Sequence, residues 1–392
     1  MVRIPLPRFA SRRSDQRGFV PALTAFDQAI GHELLSRQFR EASATDEPAW
    51  DELVGRHPSG DFLQSWAWGA VATFDGEPMR RFILEEGGAI VAVGAVQTRV
   101  TRGILTTWYV PHGPILDYDD PRAIIWLEAF LDGLNAAARL AGVVAVRLEP
   151  RLARGSAEAA AIAEMGLQSV AGTAQVGQTQ LLDLSGTEAD TFAAADAPTR
   201  RKIRRAAREG VRTVVITDPT ADDAVDRLAR LVRETEARSG VTGRGTERIR
   251  VAWHAFAGRR TASIVEAWAG DRIMASGMMV VVGDRSFYLF SGSSRELPGE
   301  PKTFPSYAMQ WEMIRAARRM GARTHDLWGI APDGAGPEHR WYGIGTFKRS
   351  FGGQSVTWAG SWDLVLRPPL YRAREAVATA RLRLMRPASR AA

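Results

Sequence analysis

The chain has 392 residues, more than one ordinary domain holds, so two domains are the expectation. Hydrophobic residues make up 45% and charged residues 24%, a globular balance, and the absence of cysteine excludes a disulfide framework or a thiolate metal site. A net charge of +7 and a pI near 10.2 favour polyanionic partners: nucleic acid, a nucleotide or an anionic membrane surface.

The six histidines show no His-x-x-x-His spacing, and no metal site is expected. No run of eighteen apolar residues is present to span a membrane. The N-terminal stretch from Met1 to Phe19 is basic but lacks the apolar core of a secretory signal, so the cytoplasm is the expected location.

Residues 1–25 read as a flexible basic arm. From Phe62 to Trp68, aromatic and aliphatic residues at helical spacing predict a buried face. Two β-rich runs, Arg81–Leu84 and Ala89–Gln97, flank Glu86-Gly87-Gly88 as a hairpin. The two prolines of Trp108–Asp117 predict an edge strand or a shaped loop. Pro121–Ala141 reads as an amphipathic helix stopped by Gly142, Val143–Leu148 as a buried strand, and Ala157–Met165 as a second helix.

A comparable order then starts again. Strands are expected at Thr179–Leu184 and Val211–Ile216, helices over most of Asp190–Gly210 and at Asp222–Ser239, and a β-pair around Gly270-Asp271. The strand Phe287–Phe290, a helix from Tyr307 to Met320, the strand Asp326–Ile330 and a Gly-rich turn at Gly343–Gly345 complete the second unit. The pattern is a repeated mixed α/β unit, with the boundary near residues 166–178. After Gly353 come a β-like stretch, Ser355–Trp362, and a basic helix, Leu370–Arg386, which is either solvated or laid on anionic lipid.

Three constellations can carry chemistry. Arg201, Arg204, Arg205 and Arg208 share one helical face by i, i+3 and i+4 spacing. Their mutual repulsion is relieved by a polyanion such as tRNA, although an ordinary solvated face has the same pattern. Arg340-Trp341-Tyr342-Gly343-Ile344-Gly345 fits the short Arg-x-x-Gly-x-Gly pattern that cradles coenzyme A pyrophosphate in N-acetyltransferases. Lys348 lies between Phe347 and Phe351, and is either a surface lysine or a fixed ammonium aimed at an oxyanion. A carboxylate at Asp117 can hold an attacking ammonium, and it equally suits a turn before Tyr118.

Several segments in order resemble the Fem (FemABX) aminoacyltransferases: Phe62-Leu63-Gln64-Ser65, His112-Gly113-Pro114, Thr199–Arg204, Asp326-Leu327-Trp328-Gly329-Ile330 and Phe347–Gly353. The resemblance runs from about Asp61 to Leu370. It implies an α/β fold of tandem GNAT-like domains, each a mixed, mostly antiparallel sheet flanked by helices. Residues 26–171 would form the first domain, completed by the C-terminal segment 355–392, and residues 172–354 the second.

The activity implied is transfer of an amino acid from aminoacyl-tRNA to the stem-peptide amine of a peptidoglycan precursor, lipid II or UDP-MurNAc-pentapeptide. No cofactor is implied beyond the tRNA donor. The resemblance places Lys348, Phe347 and Asp117 at the reaction site, and assigns Arg244, Arg248, Tyr288 and Phe290 to the precursor and its phosphates. Arg201, Arg204, Arg205 and Arg208 would face tRNA, in a monomer that touches the inner membrane surface peripherally. This chain departs from the family at His112, where arginine is common, at Arg248, where tyrosine is common, and at Ala72, in place of a lysine. The alternatives are an acyl-coenzyme A N-acyltransferase of the GNAT type and a non-catalytic tRNA- or membrane-binding relative.

Overall fold

Fifteen short strands gather into two sheets in a computed structural model that describes residues 36–101, 105–239, 245–296 and 302–385. The basic arm at 1–25 and Arg244 lie outside these residues. The first sheet contains β1 (Arg37–Glu41), β2 (Met79–Glu86), β3 (Ala89–Thr101), β4 (Leu105–Pro111), β5 (Ile115–Leu116), β6 (Ala145–Glu149) and β7 (Gln168–Val170). The second is built from β8 (Gln178–Asp183), β9 (Val211–Ile216), β10 (Ala262–Ala269), β11 (Arg272–Val282), β12 (Arg285–Ser293), β13 (Thr324–Gly329) and β14 (Gln354–Thr357). The last strand, β15 (Ser361–Val365), returns to the first sheet, whose order is β1-β2-β3-β4-β6-β15-β7 with β5 on β3. The second sheet has the order β14-β8-β13-β12-β11-β10-β9.

Each sheet is antiparallel except at one pair: β4 with β6, and β12 with β13. In the second sheet the parallel pairing covers only Arg285–Phe287 against Thr324–Asp326. Beyond it β12 runs on beside β11, while Gly329 of β13 pairs with Thr179 of β8. The two strands therefore separate, and the separation opens where the chemistry is expected.

Apolar periodicity places the helices. In Ala123–Leu140 the stripe Trp126, Leu127, Phe130, Leu131, Leu134 and Ala138 is buried against the first sheet. A second apolar cluster spans both halves: Trp50, Phe62 and Trp68 pack with Trp253, Phe256, Met278 and Phe287. Each such side chain contributes about 1.5–3 kcal/mol when fully buried, so the seam between the halves is itself a core. At Gly283 (φ 59°) a Cβ would lie 2.0 Å from the Gly55 carbonyl oxygen, so only glycine allows this turn of the second sheet to reach the first half.

Two expectations need correction. Trp108–Asp117 is no edge: β4 lies between β3 and β6 in the interior of the sheet. The ladder survives because Pro111 is the last residue of the strand and Pro114 lies beyond it. The Gly343–Gly345 turn is instead part of a helix, Tyr342–Arg349, in which the Gly345 amide donates to the Trp341 carbonyl at 2.8 Å. That amide is used within the helix and cannot cradle a phosphate. The segment Thr246–Ala257, unassigned from sequence, is a helix packed against the first half. Among the described residues, no helix is long and apolar enough to cross a membrane.

Candidate active site

The strand β13 alternates its side chains across the second sheet. His325 faces the helix Pro305–Arg319, where Gln310 Nε2 lies 3.2 Å from its Nε2, while Ser286 Oγ of β12 lies 2.7 Å from its Nδ1. Asp326 points to the opposite side, toward the first half. After Asp326 the register shifts, and Trp328 takes a left-handed backbone, φ 64°. A non-glycine residue there needs a compensating contact. It is supplied by the Trp328 amide, which donates to Asp326 Oδ1 at 2.8 Å.

The next carbonyl, that of Gly329, accepts the Lys348 ammonium at 2.8 Å. Lys348 sits in the last turn of the helix Tyr342–Arg349, where the helix dipole favours a cation. It is only 5% exposed, with its Nζ 5.7 Å from the centroid of the Tyr288 ring. Burial pulls its pKa from 10.5 down to about 7, with Asp326 acting in the opposite direction. The same burial, added to by the charge of Lys348, lowers His325 to about 3. The imidazole is therefore neutral at physiological pH, while Lys348 is poised between ammonium and amine.

Behind Asp326 lies a run of buried charge that crosses the seam. Arg151 donates to Asp326 Oδ2 at 3.0 Å and approaches Asp61 Oδ2 at 3.4 Å. His112 Nδ1 is 2.9 Å from that Asp61 oxygen, and the Leu63 amide donates to Oδ1 at 2.9 Å. Burial pushes the Asp61 carboxyl up, but His112, Arg151 and that amide together hold it below its ordinary value. His112 Nε2 is buried and makes no hydrogen bond.

A cavity of about 380 Å³ opens beside this seam, lined by Phe62, Gln97 and Arg99 of the first half and by Arg248, Phe290 and Trp328 of the second. Arg248 is buried between Trp68 and Phe290, with its guanidinium carbon 5.2 and 5.8 Å from the ring centroids. Its Nε donates to Asp75 at 2.8 Å, while its buried Nη1 makes no hydrogen bond. A buried cationic N–H without a partner is a ready site for an anionic oxygen. Ala72, where the resemblance expects a lysine, packs in the seam core.

The arginine face forms a third feature. Arg201, Lys202, Arg204, Arg205, Arg208 and Phe304 line an open groove of about 490 Å³ on the helix Ala197–Arg208. Lys202, off the arginine face in sequence, donates to the Tyr307 hydroxyl at 2.8 Å. Tyr307 in turn packs on Phe347, the residue before Lys348, at 5.0 Å between ring centroids.

The expected site residues therefore fall in several places. Lys348, Phe347 and Tyr288 share the side of the second sheet that faces Met309 and Met313. Arg248 and Phe290 lie in the seam cavity, so Tyr288 and Phe290 are on opposite faces of β12. Asp117 accepts the Asp119 amide at 3.1 Å in its own turn, and no hydrogen bond or ion pair joins it to Lys348. Sequence reasoning gave no role to Asp326, Arg151 or Asp61. The available signal was a carboxylate inside the apolar run His325–Ile330, where an unpaired charge is not tolerated.

Comparison with known proteins agrees with this architecture. Residues 45–161 match the FemAB family, and residues 197–342 match an acetyltransferase (GNAT) domain. A lipid II:glycine glycyltransferase of Staphylococcus haemolyticus is 24% identical, over 83% of this chain and 93% of the relative. The crystal structure of FemX superposes with a TM-score of 0.76 at 18% identity, covering 86% of this chain and 99% of FemX. The structure of L-PGS from Bacillus licheniformis follows the same fold at a TM-score of 0.52 and 15% identity, covering 87% of this chain and 96% of that one. With tandem acetyltransferase-type halves sharing one core, the chain is similar to FemABX proteins in sequence and in fold.

Proposed function

We propose that this protein transfers an amino acid from aminoacyl-tRNA to the stem-peptide amine of a peptidoglycan precursor. The observation that carries the reading is the buried Lys348 ammonium, held on one backbone carbonyl. The precursor amine attacks the ester carbonyl, a C–N bond forms, and the carbonyl oxygen becomes an oxyanion. Lys348, as ammonium, steadies that oxygen; one such donor in a dry site is worth about 3–4 kcal/mol. The intermediate collapses, the C–O ester bond breaks, and the ribose oxygen leaves with a proton while the amine gives one up. The ester is already activated, so positioning supplies most of the remaining acceleration.

Arg248 would hold the precursor's phosphates in the seam cavity, and Arg244 is the second arginine that the resemblance assigns to them. The groove from Arg201 to Arg208 would take the tRNA, and Asp117 would orient the attacking amine. On this reading the protein works on the cytoplasmic side, at the inner membrane face when the precursor is lipid-linked.

The test is transfer of radiolabelled amino acids from a charged total tRNA pool to lipid-linked and nucleotide-linked precursors. Ribonuclease-treated, Lys348→Ala and Asp117→Asn arms run alongside. Label on the precursor, lost with ribonuclease and with Lys348→Ala, establishes the reaction. Asparagine makes the same turn at position 117, so loss in that arm belongs to the chemistry. No label on any acceptor overturns the assignment, and acyl-coenzyme A donors become the next substrates.

A further inference from the structure

One bulge in β13 serves both sides of the second sheet. Its left-handed residue, Trp328, sends an indole to the seam cavity, and its next residue, Gly329, turns a carbonyl to the Lys348 ammonium. The bulge is fixed from one point. Asp326 Oδ1 takes the Trp328 amide and the Thr179 hydroxyl, and Oδ2 takes Arg151, which belongs to the first half. Arg151 is itself seated by the Pro58 carbonyl at 3.2 Å, by Asp61, and by the Trp358 ring at 4.7 Å. Neither Asp326 nor Arg151 reaches solvent to any useful extent, at 2% and 8% exposure. Charged groups this buried persist only when paired.

We propose that Asp326 is the positioning residue of the Lys348 site and that Arg151 is its counter-ion, so that the seat of the ammonium is complete only when both halves are joined. Asp326 acts in two ways. Through the Trp328 amide it fixes the peptide whose neighbour, the Gly329 carbonyl, accepts the ammonium. As the carboxylate next to that site, it favours the charged form of Lys348, and Arg151 attenuates this influence by neutralising part of its charge. The other ionisable groups facing Lys348 do not replace it. His325 on β13 is held neutral, Tyr288 on β12 is a buried phenol with its pKa raised by burial to about 12, and Lys202 behind Phe347 is engaged by Tyr307. On its own helix Arg349 is paired with Asp333 at 3.1 Å. The catalytic meaning of this arrangement rests on the transferase reading above; the geometry and its test do not.

The sequence makes the experiment direct, because only Lys202, Lys302 and Lys348 are lysines among 51 basic residues. Protein labelled with 13C,15N-lysine gives three side-chain signals, and Lys348→Arg assigns one of them. The pH titration of that signal is followed in the parent, Asp326→Asn, Arg151→Gln and Thr179→Val. Asp326→Asn lowers the midpoint by about one unit, the scale of one nearby opposite charge. Thr179→Val lowers it less, because the carboxylate loses one donor to its ionised form. Arg151→Gln raises it, because the Asp326 side chain keeps Thr179 and Trp328 but loses its counter-ion.

Opposite shifts in the two charge variants are a signature that general loosening of the fold does not produce. In the transfer assay Asp326→Asn costs about 10²-fold in kcat, as misplacement of a reacting group does, with little change in KM. An unmoved Lys348 midpoint in whichever of the three variants fold overturns the proposal. If the parent transfers nothing, the transferase reading fails while the lysine titrations still decide this one.

Discussion

The Lys348 ammonium donates to the Gly329 carbonyl at 2.8 Å, and this is its one hydrogen bond among the described residues. That bond replaces the water shell of a group that titrates at 10.5 in solvent and at about 7 here. The folded protein therefore binds the lysine proton more weakly than the unfolded chain does. Below pH 7 the buried charge costs the fold on the order of a few kcal/mol, and the cost disappears as pH rises from 7 to 10.5. Lys348→Met keeps the aliphatic stem and removes the charge. It is expected to raise stability in urea unfolding at pH 6, with a gain that fades by pH 10, while transfer falls by about 10²–10³-fold. A destabilised Lys348→Met protein at pH 6 would mean that the ammonium is well solvated where it sits.

His325 gives a second pH signature from the same burial. Its folded pKa is lowered from 6.5 to about 3, so between these values the unfolded chain takes up a proton that the folded site refuses. Stability contributed by the neutral ring is full above pH 6.5 and is lost as the pH falls toward 3. His325→Gln keeps a hydrogen-bonding amide between Ser286 and Gln310 and has no such proton to refuse. Thermal melts at pH 7 and pH 4 should show a smaller acid loss for the variant than for the parent. Equal losses would place the acid sensitivity elsewhere.

These two groups mark what the sequence reveals and what it hides. Lys348 was legible because a lysine flanked by Phe347, Phe351 and glycines is unusual, and because its segment resembles a known family. The repeat was legible because hydrophobic periodicity switches from 2 to 3.6 in the same order twice. The seam charges were not, because Asp61, His112, Arg151 and Asp326 are far apart in the chain and only tertiary pairing makes them one cluster. Local pattern misled at Gly343–Gly345. Glycine normally signals a turn, but here the segment is a helix that ends beside Gly329 and carries Lys348 inward. At Trp108–Asp117, proline marked the end of an interior strand and not an edge.

Arg248 should report on the precursor. Its Nε is committed to Asp75, while its Nη1 is buried and unbonded in the cavity. A charge-assisted hydrogen bond to an anionic oxygen is worth about 1.5–3 kcal/mol, or about 10–100-fold in affinity. Arg248→Ala is expected to raise KM for the precursor by that factor and to leave kcat within a few-fold, because the residue lies away from Lys348. Arg248→Lys should recover only part, since one ammonium cannot serve Asp75 and a ligand together. An unchanged KM would remove the cavity from precursor binding.

The arginine groove should report on tRNA through salt. Arg201 and Arg208 are exposed, whereas Arg204 and Arg205 rest on the Phe192 and Phe304 rings, at 5.1 and 5.5 Å from their centroids. The first two can be removed with little loss of packing. Each phosphate contact on a nucleic acid contributes about 0.7–0.9 to the slope of log affinity against log salt. Replacing both Arg201 and Arg208 by alanine should flatten the slope by about 1.5 and weaken tRNA binding most at low salt, with the melting temperature nearly unchanged. Binding should also weaken by a similar factor for charged and uncharged tRNA, because phosphates do not report the amino acid. A slope that stays the same while Lys348→Ala still abolishes transfer would show that tRNA reaches the active site by another surface. The groove would then be an ordinary solvated helix face.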